Sequence, residues 1–455
     1  VCTFDERLKE EQRVYWSASD LFQGDAADSL RAELSALADE PLLDRIEASL
    51  GQAFEYRMVA DVPVGLFLSG GIDSSLVAML LARRCGTRLK TFTIGFGESE
   101  FDETAYARQV AQALGADHLE FPVSAQAAIE LCAEIPEIAD EPIGDGSLVP
   151  TLMVSRLARE YVKVALSADG ADELFGGYAR YAHCGAFVTR ARFLRGLYYL
   201  SAEVLDRLPA GLISRAYAMA RGGRPRFAAI DDKLRKFVRM SRARGAFDAY
   251  DAAVSEWPAA ASLRLVRESP VGSAGAREAF DAITGTGVHD QFMHYDMARY
   301  LPGDLLVKVD RASMHVSLEA REPFLDHEAA RLAAALPLRW KIRDGQNKYV
   351  LRRLLARHLP PQLFDRPKQG FSAPLGEWLR GPLRPLFIEE LAPERVRAAG
   401  LLDPRAAAEA VATFLEPGSS RISPAAAWIL LQLQQWAGRW LRPQPQRAFA
   451  RALAL

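Results

Sequence analysis

The pattern of apolar and polar positions divides the chain into two unlike halves. Residues 64–68 form a short apolar run, residues 74–84 carry apolar side chains at helical spacing, and residues 89–96 are rich in β-formers. The alternation continues with a helical stretch at 102–114, a strand at 118–123, helices at 126–134 and 147–160, and a fourth strand at 162–166. Strand–helix alternation of this kind predicts an α/β fold with a parallel, twisted sheet covered by helices on both faces. After Tyr178 the β-rich runs disappear, and apolar residues recur at helical spacing as far as Trp440, which predicts a mainly α second half. The domain reading is a linker or remnant at 1–40, an α/β core at 41–185, a helical region at 186–442 that completes the site, and a tail at 443–455.

Composition narrows the class. The chain has 455 residues, 49% hydrophobic and 25% charged, with a formal net charge of -2, as an ordinary globular protein does. That balance gives no global case for a nucleic-acid or membrane partner, and neither is expected. The longest apolar runs are well short of the ~20 residues of a membrane-spanning helix. Residues 190–245 hold fourteen Lys/Arg against four acids, read here as a solvated helical surface in preference to a phosphate-binding face. Four cysteines without a CxxC pair imply neither zinc nor a disulfide framework, and suit a reducing, cytoplasmic setting. The start, Val1-Cys2-Thr3-Phe4, has no apolar signal core and no initiator Met, and reads as an internal beginning.

The sharpest local chemistry is Leu68-Ser69-Gly70-Gly71-Ile72-Asp73-Ser74-Ser75, which follows an apolar strand and opens a helix. Two glycines admit an anion close to the main chain, the serines add hydroxyl donors, and the helix start adds positive potential. A polyphosphate is the expected ligand. Asp73 would repel phosphate alone, so a carboxylate there implies Mg²⁺ bridging the phosphate oxygens. There is no Gly-Lys-Ser/Thr, hence no Walker loop, and Phe67 stands where the first glycine of a nucleophile elbow belongs.

This loop resembles the SGGxDS loop of the ATP pyrophosphatases. A second segment, Leu166-Ser167-Ala168-Asp169-Gly170-Ala171-Asp172-Glu173-Leu174-Phe175-Gly176-Gly177-Tyr178, resembles the LSGDGxDELFGGY signature of asparagine synthetases. Further matches are Leu301-Pro302-Gly303-Asp304, Asp310-Arg311-Ala312-Ser313-Met314, Glu322-Pro323-Phe324-Leu325-Asp326, the stretch 348–352, and Arg366-Pro367-Lys368-Gln369-Gly370-Phe371. The likeness spans about residues 15–440. It implies adenylation of a carboxylate by ATP with release of pyrophosphate, then displacement of AMP by ammonia, so that aspartate becomes asparagine.

By position, the resemblance implies that Ser69, Gly70, Gly71, Asp73, Ser74 and Ser75 hold pyrophosphate and Mg²⁺, with Asp172 as the second metal ligand. Phe67, Ile94, Ser167 and Ala168 would contact adenosine. Asp169, Lys368 and Tyr178 would serve catalysis, and Glu173 and Asp310 would bind the amino acid substrate. Lys308 and Lys348 stand out only because lysines are few in an Arg-rich chain, and a Lys308–Asp310 ion pair is one reading of the first. Ala168 and Ala171 replace glycines of the commonest pattern, and Ala168 adjoins the expected adenosine contact. Full-length relatives open with a glutaminase domain that this chain does not contain, so ammonia would come free, from a missing domain or from a separate subunit. A homodimer is also implied. Rival readings are amidation of another carboxylate, such as a sugar acid or an intramolecular amine closing a ring, and a catalytically silent scaffold.

Overall fold

The computed structural model describes residues 2–86, 88–96, 103–189, 196, 199–200, 227–267, 274–365, 373–417, 419 and 421–441. Lys368 and its motif lie outside the described residues.

Five parallel strands form the centre: β1 (Val64–Phe67), β2 (Lys90–Phe96), β3 (Asp117–Val123), β4 (Val164–Leu166) and β5 (Glu319–Arg321). Their spatial order is β3-β2-β1-β4-β5. The helices that matter for the site are α1 (Ile72–Arg84), α2 (Thr104–Leu114), α3 (Leu148–Arg159), α4 (Ala171–Phe175), α5 (Phe227–Ser241), α6 (Leu306–His315), α7 (Tyr349–Ala356) and α8 (Pro424–Trp440). Each crossover from β1 through β3 moves outward in one direction, and β4 then returns to the other side of β1. The strand order therefore reverses between β1 and β4, and a crevice opens beyond their carboxyl ends.

Alternating side chains of the strands feed two cores, one on each face. Leu66 and Leu166 join Leu76, Leu80, Phe175, Phe324, Trp340 and Leu351 in one. Phe92, Ile94 and Ala165 join Leu148, Leu152, Trp378 and Trp428 in the other. Both cores mix residues of the α/β half with residues of the helical half. Gly65 is part of this packing, because a Cβ there would overlap the Phe92 ring. From Ser17 the N-terminal segment also packs inward, and Phe22 and Leu34 are buried in the first core.

The expected parallel sheet with helices on both faces, followed by a mainly helical region, is the observed architecture. The fifth strand comes from the mainly helical half, where no β-rich run announces it: β5 pairs with β4 through Ser167 N–H to Arg321 O and Glu319 N–H to Lys163 O, both 2.9 Å. Three residues, Glu-Ala-Arg, carry no apolar or β-branched signal. An edge strand that short is specified by its neighbour's backbone, and charged side chains suit an edge.

Candidate active site

The crevice between β1 and β4 holds a cavity of about 510 Å³. Its floor is the turn from β1 into α1. Gly70 adopts φ +71°, and a Cβ there would stand 2.6 and 2.7 Å from the backbone of Tyr106 and Ala107 on α2, so only glycine lets the turn lie against that helix. Gly71 differs: a Cβ would meet only Ser69 Oγ at 3.2 Å, and its bare Cα leaves the space above the turn open. Ser69 N–H donates to Ser74 Oγ at 3.2 Å and the two hydroxyls are 3.1 Å apart, which folds the turn over the start of α1. Ser69, Asp73 and Ser74 line the cavity. Ser75 does not; its side chain is fully buried behind the turn.

The opposite wall is the turn from β4 into α4. Gly170 is left-handed (φ +90°) and closes this turn beneath Leu325. Ser167, Ala168, Asp169, Asp172, Glu173 and Tyr178 line the cavity from here. Ser167 Oγ donates to Asp169 Oδ2, and Tyr178 OH donates to Glu173 Oε1 at 2.8 Å. Neither Ala168 nor Ala171 has a positive φ, so replacing glycine strains neither position, and the Ala171 methyl packs into the first core.

Lys348, at the head of α7, ties the two turns together. Its Nζ donates to Asp73 Oδ2 and lies 2.7 Å from Asp172 Oδ1. Lys348 is buried and left-handed (φ 55°), and these two carboxylates raise its pKa against the opposing effect of burial. Gly177 makes the arrangement sterically possible, since a Cβ there would overlap Asp172 Oδ1 and Lys348 Cε. Asp73 and Asp172 thus converge on one position the size of a cation, and a pair of carboxylates converging in this way suits Mg²⁺. Among the described residues no group of three or more His, Cys, Asp or Glu forms a metal cluster.

A second lysine enters from α6. Lys308 Nζ donates to Asp145 Oδ2 at 3.0 Å and to Ser147 Oγ at 2.9 Å, and it borders the cavity. Burial pushes the Asp145 carboxyl up, but Lys308 and the Ser147 donors outweigh it and hold it below its usual range. The expected Lys308–Asp310 pair does not form. Asp310 is exposed, pairs with Arg311 and lies outside the cavity. Phe67, Phe92, Ile94 and Val154 supply an apolar wall suited to a flat ring. The segment Asp296–Leu305, a π-helix containing Pro302, brings Tyr300 and Leu305 to the rim.

Burial shifts the acids of this region. Burial and then Asp172 push Glu173 up to about 7, and burial and then Asp145 push Asp304 up to about 6. Burial and then Asp169 push Glu322 up to about 7 from 4.5. The unfolded chain therefore ionises at Glu322 while the folded protein still holds its proton. This contribution to stability is complete below pH 4.5 and is lost as the pH rises through 7. Glu322→Gln should reduce the stability difference between about pH 5 and pH 8 by on the order of 2–3 kcal/mol, measured by urea unfolding. A variant with the wild-type pH slope would place the titration on another group.

Sequence reasoning thus named eleven of the residues that line the cavity and overlooked others, among them Glu103, Asp145, Ser147 and Tyr300. It flagged Lys308 and Lys348 without giving them a role.

A family model described as Asparagine synthase matches residues 45–438. A Mycobacterium tuberculosis protein named "Putative asparagine synthetase (glutamine-hydrolyzing)" is 36% identical over 345 residues, 75% of this chain and 50% of the relative. "Asparagine synthetase (glutamine-hydrolyzing) 1" of Bacillus subtilis is 30% identical over 351 residues, 76% of this chain and 52% of the relative. "Amidase chyE" of Penicillium rubens is 25% identical over 460 residues, covering 89% and 62%. The chain spans about half the length of the first two relatives. Among the described residues, no helix is long and apolar enough to cross a membrane.

Proposed function

The chain belongs to the asparagine synthase family, and from that premise we propose that it is an ATP-dependent amide-forming ligase acting on the side-chain carboxylate of aspartate. The observation that carries this reading is the convergence of Asp73 and Asp172, from two separate turns, beside the open glycine turn at the strand-order reversal. A carboxylate oxygen attacks the α-phosphorus, the bond to the β-phosphate oxygen breaks, and pyrophosphate leaves. Ammonia then attacks the acyl carbon, AMP departs, and the nitrogen sheds a proton.

The protein's part is positioning and charge balance. Ser69, Gly70, Gly71, Asp73 and Ser74 hold the pyrophosphate end, and Phe67, Ile94, Ser167 and Ala168 hold the adenosine. Asp73 and Asp172 would hold Mg²⁺, which neutralises charge on the phosphates when bound. Lys368 neutralises the α-phosphate. Asp169, with Glu322 beside it, faces the reacting acyl group, and the Glu173–Tyr178 pair orients the amino acid. Ammonia comes from glutamine through a glutaminase, or from solution.

A second reading has its own support. A larger cavity of about 970 Å³ adjoins the first, sharing Asp145, Gly146, Tyr300 and Ala425. That is more room than aspartate requires, and relatives named amidases fit amidation of a bulkier acid.

Pyrophosphate release from MgATP separates these readings, with aspartate plus ammonium, aspartate plus glutamine, larger carboxylic acids, and no acid as arms. Release that requires aspartate, with asparagine formed, and that is abolished in Lys368→Ala, is the expected result. Release only with a larger acid would transfer the assignment to the second reading, and no release in any arm would overturn both.

A further inference from the structure

The candidate active-site cavity and its larger neighbour, about 970 Å³, meet at Asp145, Gly146, Tyr300 and Ala425. The charges around this junction are lopsided. Asp304 borders the larger cavity four residues before Lys308, so the two side chains share the helix face on which Lys308 meets Asp145. Lys308 is engaged by Asp145 and Ser147, whereas the half-buried Asp304 carboxylate accepts no hydrogen bond and forms no ion pair among the described residues. Across the junction, the Tyr178 ring packs edge-on against Tyr300 with 6.1 Å between centroids, and its hydroxyl donates to Glu173 Oε1. Glu173 is fully buried, lines the active-site cavity, and its second oxygen, Oε2, has no hydrogen-bond partner among the described residues.

Glu173, Asp145 and Asp304 thus gather about the junction, and Lys308 answers only one of them. A buried acceptor without a donor is costly, and like charges in a poorly solvated space add to the cost. A cation that carries N–H donors removes both penalties. The rest of the larger cavity favours the same sign. Arg180 is bound to Asp296 at 2.6 Å and Lys236 to Glu256 at 2.7 Å, and Arg299 is exposed. Asp251 receives Ser255 Oγ at 3.1 Å and no cation among the described residues. A bulky acid would meet carboxylates here, whereas a protonated amine finds partners at the junction and beyond it.

We propose that the larger cavity admits an organic primary amine, which is joined to the adenylated carboxylate as an alternative to ammonia, with Asp304 as the base that frees its lone pair. The inference rests on the adenylating reading above and adds a second nitrogen substrate to it. The ammonium passes one proton to the Asp304 carboxylate, and its lone pair then forms the C–N bond to the acyl carbon. The bond from that carbon to the AMP oxygen breaks, and the excess proton on nitrogen leaves with AMP. Burial and then Asp145 hold the Asp304 carboxyl at about 6, which makes it a better base than an ordinary carboxylate.

The test uses the full chain with 1,4-diaminobutane as the amine. In calorimetric titration with Mg²⁺ and α,β-methylene-ATP present, we expect one equivalent to bind wild type. Asp304→Asn should bind it about tenfold or more weakly, as loss of a charged hydrogen bond predicts, while keeping its affinity for the nucleotide. With MgATP and aspartate, mass spectrometry should find the N-substituted asparagine beside pyrophosphate. Ala425→Leu narrows the junction and leaves its charges in place, so it should lower the N-substituted product relative to asparagine in a mixture of diamine and ammonium. Pyrophosphate release with amide formed from ammonium alone would overturn this inference and leave adenylation standing. No pyrophosphate release would overturn the adenylating reading and the joining step with it, and the titration then decides the amine site by itself. Failure of the diamine to bind, equal affinity in Asp304→Asn, or tighter binding of glutarate than of the diamine would each overturn the proposal.

Discussion

Lys348→Met will unfold at a lower temperature than wild type, and Mg²⁺ will restore part of the loss. In the wild-type fold Nζ neutralises Asp73 and Asp172 together, and Gly177 lies against Asp172 and Lys348. Removing the ammonium leaves two carboxylates facing each other in a site closed to most solvent. Breaking a buried ion pair from one side costs about 3–5 kcal/mol, and this one has two acids to strand. Pyrophosphate release should fall by roughly 10²–10³-fold, the scale for loss of one charge-stabilising group. A divalent cation can take the place of the ammonium, so the melting temperature of the variant should rise with Mg²⁺ more than that of wild type does. Thermal melts of both proteins with and without Mg²⁺ measure this. A variant that melts like wild type and ignores Mg²⁺ would mean that the two carboxylates are not held together by Lys348.

Asp296→Ala is the second large effect. One carboxylate oxygen, Oδ2, receives Arg180 Nη2, Tyr181 OH and Tyr250 OH, each at 2.6 Å. The Arg180 guanidinium lies 3.6 Å above the Tyr178 ring, so this network holds the ring that borders the cavity. Alanine would strand a guanidinium amid aromatic rings, again at about 3–5 kcal/mol. Asparagine keeps one acceptor and should lose less. Urea unfolding of both variants gives the stability order, and KM for the acid should rise in Asp296→Ala as Tyr178 loses its support. Equal stability of the Ala and Asn variants would show that the charge on Asp296 contributes nothing.

The two turns were legible in the sequence because each is local. A strand end, two or three small residues and a helix start lie within ten positions, and the chemistry of the loop is written in one stretch. Lys348 and Lys308 were not legible in the same way, because each meets its partners only after more than 160 residues of intervening chain. The single hint was the scarcity of lysine beside arginine. Asp310 shows the cost of reading a helix as a string: two residues beyond Lys308 is ~200° around the axis, so the lysine borders the cavity and the aspartate faces water. Ser75, one position past Ser74 at the start of α1, likewise lies off the cavity and is buried behind the turn.

β5 has a bearing on how the chain can be divided. The edge it covers is β4, whose three residues Val164, Ala165 and Leu166 are all buried. A fragment ending at residue 185 would keep both glycine-containing turns but expose that apolar edge, with backbone groups free to template another copy. Such a fragment would aggregate, and it would lack Lys308 and Lys348. The α/β core that carries both turns thus depends on the distant helical half for the strand that closes its apolar edge.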